Sequence, residues 1–120
     1  FLEESLHGDK LKTARRLFTK KIITSLPDVI ITSNDLIAQG IISAAHENGI
    51  NIPNDMQITG FDDSLSSAYF IPSVTTVSQN IDELAKRCFS MLMDLINKKS
   101  SVSSIIEQNI ISRSSAKINI

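Results

Sequence analysis

At 120 residues the chain is one domain at most, and 42% hydrophobic residues with a formal net charge of -1 place it among soluble globular folds rather than fibrous or disordered chains. That charge argues against nucleic-acid binding by the chain as a whole, because such binding depends on neutralising phosphates with a basic surface. No apolar run reaches the ~18 residues of a membrane span, and the opening FLEESLHGDK lacks the basic-then-apolar plan of a signal peptide.

Near the start, Lys10, Lys12, Arg15, Arg16, Lys20 and Lys21 interleave with Leu11, Ala14, Leu17, Phe18 and Ile22 at helical spacing. The pattern predicts an amphipathic helix with a solvated basic face, and a local DNA-contacting patch is the competing role. After Pro27 the run DVIIT is short, β-branched and continuous, as expected of a parallel strand covered on both faces. Ser33 or Asn34 can cap the next helix, whose stripe is Ile37, Ala38, Ile41, Ile42 and Ala45, and which ends at Asn48-Gly49 with Pro53 beyond. A second strand, MQITGF, follows. Asn80 and Glu83 have capping-box spacing at the start of the clearest helix, with Ile81, Leu84, Ala85, Cys88, Leu92, Leu95 and Ile96 on one side. Cys88 is the only cysteine, so no internal disulfide exists, and its place in the stripe predicts an inert core thiol in a reducing, cytoplasmic compartment. Lys98 to Ser104 is a polar loop, and SIIEQNIIS is expected to form a last strand.

Strand-helix-strand order implies an α/β layer, and ligands of parallel sheets sit outside the carboxyl ends of the strands. Asn34 follows DVIIT, Asp62 follows MQITGF and Gln79 follows the extended VTTVS segment. Two amides and an ionised carboxylate suit a polyhydroxylated small molecule. The alternatives are structural: Asn34 as a helix cap, Asp62 as the cap of the turn into SLSSAY, and Gln79 as a solvated loop residue. Chemistry has less to work with. His7 and His46 have no metal-ligand spacing and are expected in solvent, and Asp62 and Asp63, if extended, point to opposite sides and cannot cooperate as acid and base. No nucleophile elbow, phosphate loop or dinucleotide fingerprint is present, so neither an enzyme nor a cofactor is expected.

The stretch from Pro27 to Ser115 resembles the C-terminal part of the effector-binding core of LacI-type bacterial transcription regulators. The marks are Asn34-Asp35 followed by Ala38 and Gly40, Gly49 with Pro53, and Gly60-Phe61-Asp62-Asp63. They continue with Pro72 ahead of Thr75-Thr76-Val77, Gln79, and Ile111-Ser112-Arg113-Ser114-Ser115. Ser73 and Val74 stand where the family usually has proline and leucine, and the region before Pro27 matches poorly.

The resemblance implies an α/β, parallel-sheet, periplasmic-binding-protein-like C-terminal subdomain made of residues 1–79 and 102–115. The helix over residues 80–98 would cross the hinge toward an N-terminal subdomain that these residues do not contain, leaving its stripe facing water or a substitute. It implies effector contacts at Asn34, Asp62 and Gln79. Homodimer contacts would come from a face of Leu36 to Glu47, with Gln39 a candidate, and from Tyr69, Phe70 and Ile71. The expected function is ligand sensing and dimerisation in a longer regulator that reaches operator DNA through a helix-turn-helix outside this sequence. A sugar or sugar phosphate is the family's commonest effector, and purines occur on the same scaffold. Half of a periplasmic-type sugar-binding transport receptor is the competing function.

Overall fold

The structure is a computed structural model, and it describes residues 9–100 and 102–117. Asp9 opens helix α1 (Lys10–Leu17) by accepting the Lys12 backbone N–H at 3.3 Å, a bond that lowers its pKa. A π-helical turn, Phe18–Ile22, continues α1. Strand β1 (Val29–Ile31) leads into helix α2 (Asp35–Glu47), then strand β2 (Gln57–Thr59), helix α3 (Leu65–Tyr69), strand β3 (Thr76–Ser78), helix α4 (Ile81–Ile96) and strand β4 (Asn109–Ile111).

β1 and β2 pair in parallel, Ile30 opposite Ile58, while β3 and β4 pair antiparallel, Val77 opposite Ile110. A parallel bridge between Thr59 and Thr75 joins the two pairs. The C-terminal segment is stitched in beside them. Ile58 N–H donates to the Ser115 carbonyl at 2.9 Å, Ser115 Oγ donates to the Ile58 carbonyl at 2.6 Å, and Thr75 N–H donates to Ser115 Oγ at 2.8 Å. Ser115 is fully buried, and these bonds satisfy backbone groups that would otherwise lie unpaired between strands.

The core lies between α1, α2 and one face of the strands: Phe18, Ile42, Met56, Ile58 and Val74 are all buried. α1 lies close on α2 because Gly40 has no side chain; a Cβ there would come within 2.8 Å of the Leu11 carbonyl oxygen and 3.0 Å of Ala14 Cβ. Arg15 fastens the pair at its edge, donating to Ser43 Oγ and to both Glu47 carboxylate oxygens at 2.6 and 2.7 Å. The basic face of α1 is therefore docked at Arg15 rather than wholly solvated. α2 ends as its sequence signals, with Gly49 at φ 73° and Ile50 N–H donating back to the Ala45 carbonyl.

Several expectations are corrected. β1 is covered on one face only: Ile31 is 83% and Val29 46% exposed, because no described element lies over that side. The last strand is short and antiparallel to β3. The Asn80–Glu83 capping box does not form. Asn80 adopts φ 52° and ψ 53° and makes no side-chain cap bond, and Glu83 instead accepts from Arg87 one turn on. Cys88 is exposed, since α4 has no buried residue and its stripe, including Leu84, Leu92, Leu95 and Ile96, faces water rather than folding back on the sheet.

Phe18 fills the gap between α1, α2 and the strands, so Phe18→Ala should lower stability by about 3–5 kcal/mol. Urea denaturation of the purified whole protein checks this, and a loss below about 1 kcal/mol would place the core elsewhere.

Candidate functional site

The carboxyl ends of β1, β2 and β3 converge around the loop Phe61 to Ser64, and this loop is unusual in its backbone. Asp62 and Asp63 have φ of 110° and 54°, in the region that side chains other than glycine rarely adopt. The two residues are therefore not extended, and the expectation of carboxylates on opposite sides of a strand gives way to one fixed by separate partners. Asp62 N–H donates to the Val77 carbonyl at 3.0 Å, and Asp62 Oδ1 accepts from Gln79 Nε2 at 2.6 Å. Asp63 Oδ1 instead takes Arg113 Nη2 at 2.6 Å, and Arg113 Nη1 donates to the Val74 carbonyl at 2.9 Å.

Asp35 holds this loop from below. Its side chain is 1% exposed, with Oδ1 accepting from Thr76 Oγ1 at 2.6 Å and Oδ2 from Ser64 N–H at 2.7 Å. Its own N–H donates to the Phe61 carbonyl at 2.9 Å. Gly60 runs so close beneath that a Cβ would collide with Asp35 Oδ1. Neither Asp35 nor Arg113 stood out as functional from spacing. Each pairs across the fold, with Thr76 and Asp63 respectively, and no local pattern announces such a pair.

Asp62 and Gln79 are thus brought together. Beside them lies an open polar cavity of about 250 Å³ lined by Asp62, Asp63, Ser78, Asn80, Ile81 and Asp82. Asn34 sits at the end of β1 and caps α2, its Oδ1 accepting from Ile37 N–H at 2.9 Å, and it does not line this cavity. Its capping role is plain.

The residues expected at a dimer surface fall into different places. Gln39 is 4% exposed, its Nε2 donating to Ser66 and Ser67 Oγ at 2.8 and 3.2 Å, so it joins α2 to α3 inside the chain. Phe70 is half-buried against the core, whereas Tyr69 and Ile71 are 78% and 88% exposed. Ile71 and Pro72 edge an apolar cavity of about 220 Å³ shared with Ile42, His46, Ile50, Asn51 and Ile52. His46 is exposed, as expected, and His7 lies outside the described residues. Among the described residues no helix is long and apolar enough to cross a membrane.

Residues 3–116 match the periplasmic binding protein-like domain family. The HTH-type transcriptional repressor PurR of Pasteurella multocida is 35% identical over 85 residues, 71% of this chain and 25% of that protein. PurR of Erwinia tasmaniensis is 37% identical over 81 residues, 68% of this chain and 24% of that protein. The chain thus spans about a quarter of the length of these relatives, which are transcriptional repressors and not enzymes. Among solved structures, a periplasmic binding ribose operon repressor protein from Lactobacillus acidophilus superposes with a TM-score of 0.83 at 31% identity, over 98% of this chain and 44% of that one. A LacI-type transcription regulator from Bifidobacterium animalis gives 0.76 at 27% identity, over 91% of this chain and 39% of that one.

Removing the Asp35 carboxylate strands two donors, so Asp35→Ala should lower stability by about 2–4 kcal/mol. Asp35→Asn should lose clearly less, because its amide can still accept from Ser64 N–H and donate to the Thr76 hydroxyl. Equal losses in urea denaturation would remove the carboxylate from its bridging role.

Proposed function

The chain belongs to the family of periplasmic binding protein-like domains, in the branch that forms the effector-binding core of LacI-type regulators, and from there we propose that it senses a small effector and pairs the subunits of such a regulator. The observation that carries this is the Asp62–Gln79 contact. It sets an exposed carboxylate at the end of β2 and an amide at the end of β3 beside one open cavity, where α/β sheets receive ligands.

In this proposal Asp62 accepts hydrogen bonds from effector hydroxyl or amine groups. Gln79 either shares the ligand or moves aside for it, and Asn34 contributes its amide N–H from the end of β1. Gln79 immediately precedes Asn80 and α4, so a ligand that competes for Asp62 also pulls on the entry to that helix. The other wall of the cleft and the operator-reading elements would belong to parts of the regulator outside these residues. Subunit pairing falls to the apolar surface of Tyr69 and Ile71 with the neighbouring face of α2, and Gln39 acts there by holding α3 in place. Solvent-exposed apolar side chains in one patch are the expected mark of such a surface.

Calorimetric screening of the whole protein against sugars and nucleobases identifies the effector, and Asp62→Ala should then weaken its binding by about 1.5–3 kcal/mol without unfolding the protein. Unchanged affinity in Asp62→Ala would overturn the site. For the subunit contact the informative substitution is Ile71→Glu rather than one at Phe70, whose side chain also serves the core. Sedimentation should show Ile71→Glu shifted toward monomer, and an undisturbed dimer would take Ile71 out of the interface.

A further inference from the structure

The cavity beside Asp62 carries three carboxylates and no Lys, Arg or His in its lining. Their charges are not equivalent. Asp63 is neutralised by Arg113 and Glu83, just outside, by Arg87, whereas Asp62 and Asp82 have no cationic partner among the described residues. The cavity also opens at the start of α4, and a helix N-terminus by itself attracts anions. Here that attraction is overridden: the first turn holds Asp82 and Glu83, full charges set against the roughly half charge of the helix dipole.

The occupant that Asp62 already has shows what the carboxylate takes. Gln79 presents an uncharged N–H donor to it at 2.6 Å. Sugar hydroxyls, ring N–H groups and amines offer the same kind of donor, while a phosphate monoester at neutral pH is mostly a dianion whose oxygens would meet carboxylate oxygens with like charge. Ile81, 57% exposed at the rim, adds an apolar surface suited to the carbon face of a ring.

We propose that this wall of the cleft admits ligands that bring hydrogen-bond donors and no anionic group, with Asp82 the residue that turns phosphate away. The proposal rests on the assignment of Asp62 to the effector site, and it narrows the ligand class from sugars and sugar phosphates to unphosphorylated polyols, nucleobases or amines.

The test uses inorganic phosphate and ribose 5-phosphate as probes on the whole protein, with hydrogen exchange followed in peptides spanning residues 61–64 and 78–82. In the parent protein neither probe should slow exchange there. Asp82→Lys should gain phosphate-dependent protection of the same peptides, with an affinity increase of about 10-fold or more, the order expected from reversing a unit charge a few ångströms from a divalent anion in an open site. Asp82→Asn, which keeps the shape, should give a smaller gain in the same direction. Protection of these peptides by either probe in the parent would overturn the proposal, and so would an Asp82→Lys protein that is folded and indifferent to phosphate. Phosphate-dependent protection is read at Asp82, whereas the effector site is read through the affinity lost in Asp62→Ala, so the failure of one is separable from the failure of the other.

Discussion

One buried carboxylate, that of Asp35, ties the architecture together. An ionised group removed from water is unfavourable by several kcal/mol unless strong donors replace the lost hydration. Here the Thr76 hydroxyl and the Ser64 N–H supply them, and the charge itself sits in the first turn of α2, at the positive end of the helix dipole. Each donor comes from a different piece of the chain, so one charge fixes β3, the approach to α3 and the start of α2 to each other. Gly60 follows from the same demand, since the strand can pass this close to a carboxylate only where no Cβ stands in the way.

The loop from Phe61 to Ser64 is suspended from that anchor on one side and from Arg113 on the other. Two consecutive positive φ angles at aspartates are unfavourable by about 1–3 kcal/mol each, and such strain persists where surrounding bonds over-determine it. The bonds of Asp35, Arg113, Val77 and Gln79 do so. The strain leaves Asp62 as the exposed carboxylate of the pair, directed to the cavity, while Asp63 turns inward to Arg113. α4 stands in contrast. Its stripe of Ile81, Leu84, Leu92, Leu95 and Ile96 has the periodicity of a buried face but lies in water in the single chain, as a face whose cover belongs to another part of the protein would.

Periodicity revealed α1, α2 and α4, and the continuous β-branched run DVIIT revealed β1, because those signals are local. The end of α2 was visible for the same reason: Asn48-Gly49 is a self-contained stop. Features set by distant partners were hidden. Asn80 and Glu83 have capping-box spacing, yet the backbone enters α4 through a left-handed turn and Glu83 prefers Arg87. The exposure of Cys88 and Ile31 depends on what lies over them, which no local pattern encodes. At the site, Asp62 and Gln79 were legible as strand-end polar residues. Asn34 was legible twice over, as cap and as candidate contact, and its Oδ1 serves the cap. The burial of Gln39 against the α3 serines was not, since a helix-face glutamine looks the same whether it meets solvent, a partner or a neighbouring turn.

The segment from Arg113 to Ser115 also sets an order in time. It bonds to Asp63, to Thr75 and, across 57 positions of sequence, to Ile58, and it is synthesised after every one of them. Strands β1 and β2 and helices α1 and α2 can assemble from contacts made earlier in synthesis, but the aspartate loop lacks its Arg113 tether until this segment arrives. A nascent chain that has not yet reached residues 113–115 would hold the layered core while its aspartate loop stays slack. The geometry of the aspartate loop is thereby tied to residues far downstream of it, so the core and the loop are set at different times.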